Sequence, residues 1–380
     1  MQGVSRHSDS RLSIGIAGAG LLGRLLAWTL AHQGHQVSVF DPAAGPGPSF
    51  DGQGAAGFTA AGMLSPLAEL DASDTDVAAR GWHSIERWAQ ITRQLAAQHT
   101  KAPHFDRLGS LMVAHGPDLG AARRVLARVE AGARQWPHQA QALQASALKE
   151  LEPALHSALG PLHAWLLPGE GAICTVGTLK ALQATAPNVQ WHWRHQAHAP
   201  SPHQLHTTHL DTQATQTHRF DMVMDVRGAG ARPDAPVRGV RGELVWLHAP
   251  GVALRRPVRL LHPRHRVYIV PRPGDVVIVG ASEIESEDRS PMSLRSGVEL
   301  MAAAHSVIPD LAEARILRMD VNLRPALPDN RPEIHIEPGL LRINGLYRHG
   351  WLLAPSLVDE ALSRMGLGER ATCGAPALAT

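Results

Sequence analysis

Only two cysteines, Cys174 and Cys373, occur in the 380-residue sequence, and they form no CxxC pair. Neither a disulfide framework nor a zinc site is indicated, and a reducing, cytoplasmic setting fits best. No run approaches the roughly 18 apolar residues of a membrane span, which argues against a bilayer-crossing role. One-sided charge is lacking too: 36 basic residues face 34 acidic ones, for a formal net charge of +2. With no long block of one sign to track a phosphate backbone, nucleic acid is not an expected partner. Internal repeats are missing, and low-complexity sequence is confined to the Ala-, Gly- and Pro-rich tail at 366–380. Residues 1–10 are polar, lack the apolar stretch of an export signal, and read as a disordered lead-in.

What remains is 44% hydrophobic and 18% charged, the proportions of a soluble globular protein. The length exceeds one ordinary core, so two domains are expected. The 23 histidines are scattered, as at His192, His195, His198, His203, His206 and His209, without a metal-ligand set. They alternate with Gln and Thr across 189–220, a pattern of solvated strands and turns.

The first motif is more specific. Leu12 to Ala17 reads as a short buried strand and runs directly into Gly18-Ala19-Gly20-Leu21-Leu22-Gly23, a GxGxxG. Leu21, Leu22, Leu25, Leu26, Thr29 and Leu30 then recur at helical spacing, Gly34 closes the helix, and Gln36 to Phe40 forms a second strand ending at Asp41. In this context Gly18 allows the tight turn, Gly20 lets the backbone approach a pyrophosphate, and Gly23 brings helix and strand together. The helix N-terminus offers free N–H groups to the anion, and Asp41 is placed for the adenosine ribose hydroxyls. The motif indicates a dinucleotide without separating FAD from NAD.

A second buried strand at 220–226 is followed by Arg227-Gly228-Ala229-Gly230-Ala231, where the chain would return to the nucleotide sheet. An ordinary strand-ending turn accounts for these residues nearly as well. The small-residue loop Ala60 to Pro66 suits a flat ring or a plain loop. Trp82, Ile85, Trp88, Ala89, Thr92 and Leu95 share one helical face, and Leu119 to Val129 repeats the pattern. Both helices are expected to cap a second domain, with the tryptophans as core. From 236 onward strands are expected at 243–248, 258–261, 266–271 and 275–280, with a turn at Pro273-Gly274-Asp275. They imply an antiparallel sheet, and a helix at 293–308 and strands at 315–321 and 333–343 are expected to follow.

The C-terminal third resembles the D-amino-acid oxidase family of flavoproteins, and within it the glycine oxidase branch of thiamine biosynthesis. The resemblance rests on Val240-Arg241-Gly242-Glu243, Tyr268-Ile269-Val270-Pro271-Arg272, Val279-Gly280-Ala281-Ser282-Glu283, Leu323 to Asn330 and Asn344 to Pro355. With the GxGxxG and the Ala60 to Pro66 loop, it spans nearly the whole chain in order. It implies an α/β protein, a Rossmann-type FAD-binding domain interleaved with an α+β substrate domain on an antiparallel sheet. The expected FAD segments are 11–84, 151–235 and 320–365; the substrate segments are 85–150 and 236–319, followed by the tail.

The resemblance further implies FAD-dependent oxidation of glycine, or of another small amine or D-amino acid, to the imino acid, with oxygen reduced to hydrogen peroxide. By carry-over, Tyr268 and Arg324 hold the substrate carboxylate and Arg348 lies near the ring. A planar, permanently charged fork beside a phenol suits that task. The cofactor residues so implied are Gly18, Gly20, Leu21, Leu22, Gly23, Asp41, Ala61, Gly62, Met63, Gly228, Arg324, His349, Gly350, Trp351, Leu352 and Leu353. Two departures stand out. Glu283 occupies a place where an uncharged residue is expected, and Asn322 stands where related sarcosine oxidases carry the cysteine of a covalent flavin link, so FAD is expected to be noncovalent. The expected partners are thus an amino-acid substrate and oxygen, with homo-oligomer formation left open. Alternatives are a D-amino-acid dehydrogenase passing electrons to a quinone, an RNA-modifying flavoprotein, or a noncatalytic binding protein.

Overall fold

The computed structural model describes residues 11–98, 102–158, 160–264 and 266–368. The expected lead-in at 1–10 and the tail from 369 lie outside the described residues.

The N-terminal motif folds as its residues require. Strand Ser13–Ala17 runs parallel to Gln36–Asp41, with Ser13 opposite Gln36 and Ala17 opposite Phe40. Helix Leu21–His32 connects them. Gly18 adopts φ +103°, a region that side chains disfavour, and its N–H donates to the Phe40 carbonyl at 2.8 Å. A Cβ on Gly23 would stand 1.8 Å from the Gly18 carbonyl oxygen, so the missing side chain is what seats the helix on the strand.

Six strands form this sheet, in the order Glu333–Glu337, Leu340–Asn344, Met222–Asp225, Ser13–Ala17, Gln36–Asp41, Gln190–Trp193. All neighbours are parallel except the first pair. The chain therefore does return beside its first strand after residue 221. The single strand expected at 333–343 is instead an antiparallel hairpin. Pro338 has no N–H to give a ladder and Gly339 turns at φ +80°, so the run breaks between them. The histidine-rich stretch is an antiparallel meander of His195–Ser201, Gln204–His209 and Thr215–Arg219.

The second sheet has eight strands, in the order Arg315–Ala326, Arg238–His248, Val276–Gly280, Arg266–Arg272, Val258–Leu261, Ser110–Ala114, His163–Leu167, Gln141–Leu143. Its pairs are antiparallel except Val258–Leu261 with Ser110–Ala114. Helix Leu294–Val307 covers it, capped by the Ser293 side chain, which accepts from the Ser296 N–H. Two strands sit in this sheet although the expected segment boundaries put all or part of them with the nucleotide domain. They are His163–Leu167 and Arg315–Ala326, the latter registered without a break at residue 320 from Arg315 opposite His248 to Ala326 opposite Arg238.

Helix Thr75–Gln98 departs from expectation. Its first turns do meet the second sheet, Ala78 and Trp82 packing with Met112, Ala114 and Leu167, but Ile85, Trp88, Ile91 and Leu95 join the core that contains the first helix. Its partner is the closing helix Gly350–Arg364, whose own apolar face needs cover. The Trp88 ring lies 5.3 Å from Trp351, and its indole N–H donates to the Trp351 carbonyl at 2.9 Å. Trp88 is core, as expected. Among the described residues no helix is long and apolar enough to cross a membrane, and no group of three or more His, Cys, Asp or Glu could hold a metal ion.

Replacing Gly23 with alanine drives a Cβ into backbone, which no side-chain rotation relieves. The expected cost is about 2 kcal/mol, seen as a thermal midpoint lower by several degrees. An unchanged melt would show that helix and strand do not approach this closely.

Candidate active site

A cavity of about 1020 Å³ is lined from both sheets. Its nucleotide end is built by Gly18, Gly20, Leu21, Leu22 and Asp41; Ala61, Gly62, Met63 and Gly228 continue the wall. Tyr268, Arg324 and Arg348 stand at the other end, with His349, Gly350, Trp351 and Leu352 between. Two expected cofactor residues do not reach it. Gly23 is pressed against Gly18, and Leu353 is fully buried in the core beneath the closing helix.

At the nucleotide end the helix starting at Leu21 has no side-chain cap, so its first N–H groups are available to an anion. Asp41 accepts from the Ala19 N–H at 2.6 Å and the Ala43 N–H at 2.8 Å. Burial pushes its pKa up, against those donors and the nearby Arg24. Arg24, which the pattern of apolar spacing hides, is 1% exposed and donates to the carbonyls of Ala19, Leu179 and Pro46. Burial pulls its pKa down to about 10, so it keeps its charge at neutral pH.

The opposite end is set by two glycines. Arg324 lies across Gly242, where a Cβ would come within 2.5 Å of the guanidinium carbon, and Tyr268 lies across Gly280, where a Cβ would come within 2.8 Å of the ring. Arg324 donates to the carbonyls of Arg241 at 3.2 Å and Ser282 at 3.0 Å. Among the described residues it pairs with no carboxylate. Tyr268 is half-buried at the wall, and loss of solvent pushes its phenol pKa up.

Arg348 is placed differently. It donates to Glu69 at 2.8 Å and approaches Glu283 at 3.5 Å. Glu69 also accepts from Arg259 at 2.7 Å and lies 2.9 Å from His349 Nε2. Burial alone would raise the Glu69 pKa, but Arg259, His349 and Arg348 together hold it well below the usual carboxylate range. The short helix Pro66–Glu69 that carries it is pinned by buried Glu170, which accepts from the N–H groups of Leu67 at 2.7 Å and Ala68 at 3.0 Å. Glu283 accepts from the Tyr347 hydroxyl. Burial and then Glu283 push the Tyr347 pKa up to about 12, leaving it a neutral donor.

Compared with known proteins, residues 13–360 match the family model described as DAO, FAD dependent oxidoreductase. That match covers most of the chain. The chain belongs to the DAO family. A Rhizobium etli protein named as a thiamine biosynthesis oxidoreductase, ThiO, is 34% identical over 351 residues, 92% of this chain and 95% of that protein. The glycine oxidase of Geobacillus kaustophilus is 25% identical over 368 residues, 91% and 90% of the two chains. The crystal structure of glycine oxidase from Geobacillus kaustophilus superposes with a TM-score of 0.78, covering 95% of this chain and 96% of that one.

As a DAO-family member the chain is an FAD-dependent oxidoreductase, with a Rossmann-type FAD-binding domain beside a second, mainly antiparallel sheet. The cavity fits that cofactor. Its volume suits a dinucleotide, its glycine turn and uncapped helix start suit a pyrophosphate, and Asp41 is positioned as the first motif predicts. Glu69, Arg259 and Arg24 line the same cavity and were not singled out in the sequence. Their one signal is a charged residue inside an otherwise apolar stretch.

Because the folded pKa of Glu69 is depressed, its contribution to stability is full above the usual glutamate pKa of about 4.3 and is lost as pH falls through the folded value. Glu69→Gln leaves Arg259 and Arg348 short of an anion, an expected cost of about 3 kcal/mol at neutral pH. The gap between wild type and variant should narrow as pH falls below about 4. Urea melts across pH check this, and a gap constant with pH would refute the assignment.

Proposed function

We propose that this protein oxidises glycine, or a comparably small amine or D-amino acid, to the imino acid. The observation that carries the reading is Arg324: a half-buried guanidinium without a carboxylate partner among the described residues, beside Tyr268, in the cavity that fits FAD at its other end. Tyr268 and Arg324 bind the substrate carboxylate, the arginine supplying charge and the neutral phenol a directed hydrogen bond. That anchor fixes the Cα–H bond, and positioning carries much of the rate. When bound, FAD would supply a two-electron acceptor for the hydride lost from Cα, with oxygen as the proposed final oxidant and hydrogen peroxide as its product. No side-chain base is needed, since the substrate amine loses its proton to water before Cα is oxidised. Arg348, already shared between two carboxylates, orders the wall.

The cofactor residues that line the cavity, from Gly18 to Leu352, are proposed to hold FAD noncovalently. Asn322, at the place of a covalent cysteine in sarcosine oxidases, donates its amide to the Gly54 carbonyl at 3.1 Å. Similarity to the Rhizobium etli protein supports a place in thiamine biosynthesis, where the imine would feed thiazole formation. We retain the domain segments as a proposal, with 163–167 and 315–326 moved to the substrate domain on the strength of their pairing.

Purified holoprotein in air should release peroxide with glycine, sarcosine or D-alanine. Arg324→Ala should lower kcat/KM on the order of 100-fold, the expected loss for truncating one partner of a desolvated charge pair. Unchanged turnover in that variant would remove Arg324 from the site. Reduction of a quinone without peroxide would instead identify a dehydrogenase.

A further inference from the structure

Among the charged side chains that line the substrate end of the cavity, opposite charges nearly balance before any substrate arrives. Three guanidiniums, Arg259, Arg324 and Arg348, face two carboxylates, Glu69 and Glu283. Arg259 and Arg348 are paired with Glu69 at 2.7 and 2.8 Å, and Arg348 also approaches Glu283. One positive charge, that of Arg324, is left for a ligand. A single carboxylate neutralises it. A second carboxylate on the same molecule would meet no uncommitted guanidinium among these, because Arg348 is held from behind by Glu69.

It would meet Glu283 instead. Glu283 follows Ser282, whose carbonyl accepts from Arg324, so its side chain starts one residue from the carboxylate clamp. That side chain is 45% exposed, against 12% for Glu69, and lines the same cavity. Its hydrogen bond from Tyr347 keeps it in place.

We infer that Glu283 determines specificity, making the pocket select amines with one carboxylate and reject those with two. This rests on the proposed binding of a carboxylate at Arg324. Like charges a few ångströms apart at a partly solvated wall repel by roughly a factor of ten or more in affinity, and salt screens the effect.

The test uses purified holoenzyme at about pH 8, where carboxylic acids are ionised. Glycolate and malonate are titrated in as one- and two-carboxylate probes, followed by the change in flavin absorbance, which needs no turnover. Wild type should bind malonate about tenfold more weakly at low salt, with the gap shrinking at high salt. Glu283→Gln, whose amide oxygen still accepts from Tyr347, should close most of that gap. It should also raise D-aspartate turnover relative to D-alanine about tenfold. Equal binding of the two probes by wild type overturns the inference, as does a malonate-to-glycolate ratio unmoved by the substitution. Should Glu283→Gln fail to fold, the salt dependence of the wild-type ratio decides, and a ratio flat with salt overturns it. Arg324→Ala serves as the separate control. If it leaves glycolate binding intact, the carboxylate reading fails; if it abolishes binding while Glu283→Gln changes nothing, only the present inference fails.

Discussion

The carboxylate of Glu69, 12% exposed, ties three distant parts of the chain together. It sits on a short helix after the small-residue loop, accepts from Arg259 on the eight-stranded sheet, and accepts from Arg348 at the start of the closing helix. Each of those ion pairs is only modestly stabilising once desolvation is charged against it. Their geometric effect is larger, because one anion fixes both guanidiniums at defined distances. Glu170 extends the constraint backward, its two backbone donors holding the turn from which Glu69 projects. Burial pushes the Glu170 pKa up to about 7.

Space for the other two groups comes from absent side chains. Gly242 and Gly280 lie on neighbouring strands, and each is the floor on which a functional side chain rests. Tyr268 pairs directly with Gly280 in the ladder, and Arg324 pairs with Val240, two residues before Gly242. The antiparallel register converts sequence separation into contact. The sequence holds only two tyrosines, Tyr268 and Tyr347, and both line the cavity. Both stay protonated at neutral pH, since loss of solvent disfavours the phenolate.

This explains what could be read beforehand. The dinucleotide motif was legible because its constraints are local: a strand, a glycine turn, a helix and an acid within 30 residues. Ordered blocks of resemblance picked out Tyr268 and Arg324, which do line one cavity, and turn residues such as Pro273 to Asp275 marked the strands near them. Glu69 was not. It pairs with residues 190 and 279 positions away, and in Pro66-Leu67-Ala68-Glu69 it looks like any surface carboxylate. Helix Thr75–Gln98 misled for the same reason, since its apolar stripe shows that it packs without showing against what. Ser110–Ala114 is fully buried and His163–Leu167 partly so, and both are short; short apolar runs do not declare their type.

The arrangement of charge gives the site its direction. Burying a guanidinium lowers stability, and in Arg24 the cost is offset by three carbonyls, three nearby aromatic rings and the charge of Asp41. Arg324 has two carbonyls and open cavity beside it. Its remaining donors are therefore incompletely satisfied by the fold itself, and a carboxylate entering the cavity recovers what folding left unmade. Arg348, lying close by but already committed to Glu69 and Glu283, cannot offer the same gain. Two arginines of equal charge at one end of a cavity thus differ in what they can offer an anion because their neighbours differ, and on the proposed reading the carboxylate goes to the one that the fold leaves underpaired.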